Sequence, residues 1–107
     1  MPRVLANIAQ EYGEDMRQKT DFLLRKILTE VLGLKPGQAD GFTDETGLFG
    51  HLPELDSMAV AGLLTEMEDR LGIIIEDDEV DGEMLESFGA LLAFAHAKRG
   101  PNATGDV

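Results

Sequence analysis

The sequence predicts an all-α domain, a four-helix bundle with a long first loop and a short third helix. Three observations carry this. Apolar residues recur at the helical period in three separate stretches, each stretch stops at a glycine, and the one β-branched run has no convincing second strand to pair with. At 107 residues the chain can bury one core and is too short for two.

Taken in order, Leu5, Ile8, Tyr12 and Met16 fall at near-helical spacing but Gly13 interrupts them. Residues 1–19 are therefore either an extra N-terminal helical segment or a lead-in to the first helix. Residues 20–32 form the first core helix, with Leu24, Ile27, Leu28 and Val31 on one face, Arg25, Lys26 and Glu30 between them, and Gly33 as the stop. Residues 33–53 hold five glycines and two prolines and read as a long loop. Such loops are uncommon unless functional or pinned by their own side chains, and Phe42, Leu48, Phe49 and Leu52 are the expected pins.

The second helix is expected over residues 56–71, capped by Asp56, with Val60, Leu63, Leu64, Met67 and Leu71 as its apolar stripe and Gly72 as its end. Ile73, Ile74 and Ile75 are expected to be a core-filling connector. Residues 76–86 are strongly acidic, with Val80, Met84 and Leu85 as apolar contacts, enough for one short helix or turn. Ser87 caps a last helix reaching Arg99, where Phe88, Leu91, Leu92 and Ala95 share a face and Lys98 and Arg99 suit the negative helix end. The expected core contains Leu24, Ile27, Val31, Val60, Leu64, Met67, Phe88 and Leu91. Residues 20–99 are expected to be the domain proper and residues 100–107 a flexible tail.

Composition narrows the function. The hydrophobic share is 43% with no apolar run of membrane-spanning length, and no signal-peptide block opens the chain, so a cytoplasmic monomer without membrane insertion is the expectation. A net charge of −12 disfavours nucleic acid and anionic surfaces and favours basic protein partners. There is no cysteine, which excludes disulfides, thiolate metal sites and a cysteine nucleophile. Any thiol chemistry must use a borrowed thiol.

The chemistry centres on Asp56, Ser57 and Met58, where the long loop meets an amphipathic helix. A serine there stands beside unpaired backbone N–H groups and the positive end of the helix dipole, which suits a covalently held phosphate. On its own an Asp-Ser pair opening a helix is usually capping.

The wider context resembles the acyl carrier protein family over residues 21–98: a helix, a glycine-bearing loop with Leu48 and Phe49, Asp56-Ser57-Met58 opening a helix through Glu66, Met67, Glu68 and Leu71, then Gly72, Ile73, Ile75 and the acids Asp77, Asp78 and Glu79. The run from Pro53 to Val60 also resembles, more weakly, specialised carriers of bacterial exosortase and exopolysaccharide systems. The family resemblance implies an acyl-carrier-type bundle that holds acyl groups as thioesters on a 4'-phosphopantetheine arm attached to Ser57, without catalysis of its own, in fatty acid or lipid biosynthesis. It implies that Asp56 caps the helix and sits beside the metal of the modifying enzyme. Its implied partners are a phosphopantetheinyl transferase, an acyl-loading ligase or synthase, and acyltransferases with basic surfaces. An acyl chain in the family can fold back between the second and third helices, where Val60, Leu64, Met84 and Leu85 are the candidates here, with ordinary core as their simpler role.

Two positions depart from the family pattern. Glu54, after Pro53, stands where many members have glycine, and Ala59 and Gly62 occupy the part of the second helix where acids often follow the serine. The acids come later: residues 66–86 hold ten against Arg70 alone, a net of −9. That field is expected to steer basic enzymes, with Met58, Ala61 and Thr65 making closer contacts and Glu68 and Asp69 contributing charge.

Rival readings are an acidic helical interaction module without a prosthetic group, and a weak calcium-binding protein. Asp77, Glu79, Asp81 and Gly82 mimic the first half of an EF-hand loop, but Phe88 stands where the bidentate Glu is needed and Gly72 breaks the incoming helix. No metal site is therefore expected. An enzyme would need a partner base for Ser57. His51 reads as a loop residue, His96 as a solvated helix residue, and no triad follows from their spacing.

Overall fold

The computed structural model describes the backbone of residues 2–99 and the side chains of residues 16–99. Among the described residues it contains three α-helices, α1 (Pro2–Leu32), α2 (Ser57–Leu71) and α3 (Phe88–Arg99), with 3-10 turns at Ala39–Gly41 and Asp77–Glu79. No strand occurs among them, only an isolated antiparallel bridge between Gly47 and Ser87. The all-α class stands, and the expected count of four helices is corrected to three. The segment meant for the third helix begins as a 3-10 turn in which Glu76 and Glu79 exchange side-chain to backbone hydrogen bonds, and the Asp81 carboxylate then takes the Met84 N–H. Those side chains compete with the helical ladder, and Gly82 adds no helix propensity to overcome them.

α1 starts earlier than residue 20 and runs unbroken through Gly13, because one glycine costs only about 1 kcal/mol against alanine among good helix formers. Thr20 lies inside it, wholly buried, donating to the Met16 carbonyl at 2.7 Å and accepting from Arg99 Nη1 at 3.1 Å. The side chains of Leu5, Ile8 and Tyr12, and the tail at 100–107, lie outside the described residues. α1 and α2 end alike: Gly33 and Gly72 turn left-handed (φ 66° and 68°), and the next N–H, from Leu34 or Ile73, reaches back to Thr29 O or Glu68 O at 3.0 and 3.2 Å. Each following side chain is buried, so the motif stops the helix and pulls the chain onto the core.

The core joins Leu24, Ile27 and Leu28 of α1, Leu63, Met67 and Leu71 of α2, and Phe88, Leu91, Leu92 and Ala95 of α3, closed by Leu48, Leu55, Ile73, Met84 and Leu85 from the connections. Val31, Val60 and Leu64, expected inside, are only half-buried against it, because the buried stripe of α2 is centred on Leu63 and Met67. Ile74 is 71% exposed between buried Ile73 and half-buried Ile75, as an extended connector alternates.

The long loop is ordered by two clasps. Arg25 donates from Nη1 to the carbonyls of Ala39 (2.6 Å), Phe42 (3.0 Å) and Asp40 (3.3 Å), pairs with Asp21, and lies over the Phe88 ring. The Asp21 hydrogen bond raises the Arg25 guanidinium above its ordinary pKa. The second clasp joins the loop to the start of α3. Thr46 O and Asp44 O accept from Phe88 N and Gly89 N, while Leu48 N and Phe49 N donate to Glu86 O and Leu85 O, all within 2.8–3.0 Å. The loop thus satisfies α3 amides that a helix leaves unpaired, and Ser87 Oγ takes the next one, from Ala90, at 3.1 Å. Of the four expected pins, Leu48 is wholly buried, Phe42 packs edge-on against Phe88 and Leu52 is half-buried, but Phe49 is exposed.

Candidate functional site

The approach to α2 is a chain of short turns. His51 N and Leu52 N both donate to Leu48 O (2.9 and 2.8 Å), Leu55 N donates to Leu52 O (3.0 Å), and the Leu55 side chain is buried. Asp56 follows in extended conformation, and its Oδ1 accepts from Ala59 N at 2.8 Å while its carbonyl accepts from Val60 N at 3.0 Å. This is an N-cap that leaves the amides of Ser57 and Met58 without a partner among the described residues. Ser57 is the first residue of α2, exposed, and its hydroxyl makes no hydrogen bond among them.

Ser57 opens onto a shallow depression of about 490 Å³ lined by Phe49 to Pro53 with Leu55 and Asp56. Met58, 85% exposed, shares one solvent-facing stripe of α2 with Ala61, Thr65 and Asp69, all exposed. Glu68 is set apart from them: it is half-buried, and its carboxylate accepts from Ile75 N at 2.8 Å. Val60 and Leu64 lie half-buried against the core and Met84 and Leu85 lie within it.

The acids of residues 66–86 remain mostly exposed. Two carboxylates of the domain are held below their ordinary pKa, Glu79 by the Lys98 ammonium and then by the Glu76 N–H, and Glu30 by the Arg70 guanidinium. Of the residues that mimic an EF-hand, Glu79 binds Lys98 and Asp81 binds a backbone amide, and no group of three or more metal-ligating side chains occurs among the described residues. No helix among them is long and apolar enough to cross a membrane. His96 is half-buried with an unpartnered Nδ1, which differs from the solvated position expected.

The family model described as the phosphopantetheine attachment site matches residues 23–94, a segment that spans both loop clasps and the Ser57 turn. The chain belongs to the acyl carrier protein family. This carrier is similar to the holo acyl carrier protein from Nitrosomonas europaea solved by solution NMR, with a TM-score of 0.68 and 34% identity over 76% of this chain and 95% of that one. No curated protein matches it. With the family comes the carrier's cofactor, covalently attached 4'-phosphopantetheine. The residues present fit that group: an exposed serine hydroxyl, two free helix amides beside it, open space in front, and no cysteine to compete with the arm's thiol.

Two features of the carrier had no signal in the sequence. Arg25 read as a polar residue between apolar positions, yet it orders the loop. His51 read as an ordinary loop residue, yet it shares the depression with Ser57.

Proposed function

We propose that Ser57 is the attachment point, and that the protein carries acyl groups as thioesters on the arm and presents them to other enzymes without catalysing a reaction itself. The observation that carries this is the exposed Ser57 hydroxyl at the first position of α2, directly after the Asp56 cap and inside the matched segment. The arm supplies a thiol that a chain without cysteine lacks. In loading, the Ser57 oxygen attacks the pantetheine-side phosphorus of coenzyme A, the pyrophosphate P–O bond breaks so that phosphopantetheine passes to Ser57 and adenosine 3',5'-bisphosphate leaves, and the hydroxyl proton goes to the transferase. The chain's part is to hold the hydroxyl clear of the surface, with two helix amides facing the new phosphodiester and Asp56 placed for the transferase's magnesium.

In this reading residues 20–99 are the carrier unit and residues 1–19 an extension of its first helix. It works as a cytoplasmic monomer. Partners are the transferase, an acyl-loading ligase or synthase, and acyltransferases with basic surfaces, met by Met58, Ala61, Thr65 and Asp69. A bound acyl chain turns toward Val60, Leu64, Met84 and Leu85.

Intact mass after co-expression with a phosphopantetheinyl transferase tests it. An adduct of roughly 340 Da is expected on the wild type and none on Ser57→Ala, whose stability should change by no more than about 0.5 kcal/mol. An adduct that persists on the alanine variant would move the attachment site elsewhere.

A further inference from the structure

The loop before Ser57 holds one side chain in an unusual way. A Cβ on Gly47 would lie 2.4 Å from His51 Cδ2 and Cγ, so the imidazole rests on the bare Gly47 backbone, which the bridge to Ser87 fixes to the start of α3. Gly47 makes room for that ring, and the turn from Leu48 to Leu55 brings His51 to the same depression as Ser57 six residues later. His51 is exposed, yet its position is set by packing rather than by solvent.

We infer that this depression is where the pantetheine arm rests on the carrier, with His51 as the hydrogen-bond donor and counter-cation to the phosphodiester on Ser57. The inference rests on Ser57 being the attachment point and adds which face the arm takes. Phe49 is a wall shared by two depressions. The one beyond it is lined by Asp81, Glu83 and Glu86, whose charge repels a phosphodiester and an arm of amide carbonyls. The one on the Ser57 side offers Phe49, Leu52 and Pro53 to the arm's methyl groups and carbon chain, and His51 is its only basic side chain.

The charged groups around His51 are Asp56 in the same depression, Glu54 in the same turn, and Asp81, Glu83 and Glu86 across Phe49. All are present before and after loading. Loading adds the phosphodiester charge, which favours the imidazolium, while cover of the ring by the arm opposes it.

The experiment compares unloaded and loaded wild-type protein, with loading verified by intact mass, and follows the His51 ring protons by NMR against pH. On loading, the midpoint should rise by about half a pH unit, the size expected of a solvent-exposed charge pair, and the rise should shrink at high salt. Cross-peaks should join the arm's geminal methyls to Phe49 and Pro53. Gly47→Ala, which drives the imidazole off its backbone seat, should load fully by mass yet lose most of the midpoint rise. If that variant fails to fold, the wild-type pair decides. Full loading with an unmoved midpoint, or with methyl cross-peaks to the second and third helices instead, overturns the inference while leaving Ser57 as attachment point. Absence of the adduct from Ser57 overturns both.

Discussion

The guanidinium of Arg25 lies 4.4 Å from the ring centroid of Phe88, so a residue of α1 and the first residue of α3 are stacked with the long loop tied between them. Besides Asp21, it donates to Phe42 O, which takes no other hydrogen bond among the described residues, and to Ala39 O, which also accepts from Phe42 N in the 3-10 turn. Arg25→Met keeps the aliphatic stem, takes the donor from Phe42 O and Asp40 O, and leaves Ala39 O with the Phe42 N–H alone. A loss of about 2 kcal/mol is expected, the scale of a charged hydrogen bond removed from partly buried acceptors, lowering Tm by roughly 10 °C for a domain this size. Arg25→Lys should recover only part of it, since an ammonium cannot reach three acceptors and stack at once. Hydrogen exchange should quicken at residues 39–42 first, and an unchanged melting curve would show the clasp to be incidental.

The bond from Lys98 Nζ to both Glu79 oxygens, at 2.8 and 2.9 Å, gives a pH dependence of definite sign. Lys98 holds the folded-state pKa of Glu79 below its unfolded value of about 4.3. The carboxylate form is thus favoured by folding, and its contribution is fully present above that unfolded value and lost as pH falls through the lowered folded value. Lys98→Met should lower the urea midpoint at pH 7, and the gap to wild type should narrow progressively as the pH is taken below about 4.3. A gap that persists in acid would assign the effect to packing of the lysine stem.

Asp56 has two separable roles. Asp56→Ala removes the acceptor for Ala59 N and should cost about 1 kcal/mol of stability. Asp56→Asn keeps the cap and removes the charge, so its stability should stay near wild type while transferase loading slows, because a neutral amide is a poor magnesium ligand. Equal loading by Asp56→Asn and wild type would leave Asp56 as a cap alone.

Helical periodicity, the glycine stops and the caps at Asp56 and Ser87 were legible in the chain, because each is a local rule set by neighbours a few residues away. What was not legible depends on distant pairings. Thr20 marked the expected start of the first helix, but its full burial against Arg99 and the ordering of the loop by Arg25 and the α3 amides depend on residues far along the chain. The third helix failed for a related reason: Asp81 and Glu79 have side-chain acceptors that serve a turn as well as a helix, and Lys98 and the Met84 amide decide between them. At the candidate site, the place of Ser57 at the head of α2 after the Asp56 cap was legible, whereas the relation of His51 to Gly47 follows from a turn whose shape no spacing encodes.

Charge reversal on α2 must now distinguish two acids that looked alike in sequence. Asp69 is exposed on the stripe that also carries Met58, Ala61 and Thr65, while the Glu68 carboxylate holds the Ile75 amide at 2.8 Å and fixes the connector after α2. Asp69→Lys changes the field without touching that bond. It should slow loading by a cognate enzyme with a basic surface several-fold at low salt, chiefly through the encounter rate, and the defect should fade as ionic strength shortens the Debye length from about 30 Å at 0.01 M to about 8 Å at 0.15 M. Glu68→Lys should show the same salt-sensitive defect together with a loss of about 1 kcal/mol in stability from the broken bond to Ile75, which salt does not restore. Glu68→Gln separates the two, since an amide oxygen can still accept from Ile75 N and only the charge is lost. Stopped-flow loading rates at two salt concentrations, set beside urea denaturation of the same variants, resolve the cases. A rate for Asp69→Lys equal to wild type at low salt would place recognition on the loop before Ser57, where Phe49 and Pro53 are the exposed apolar contacts.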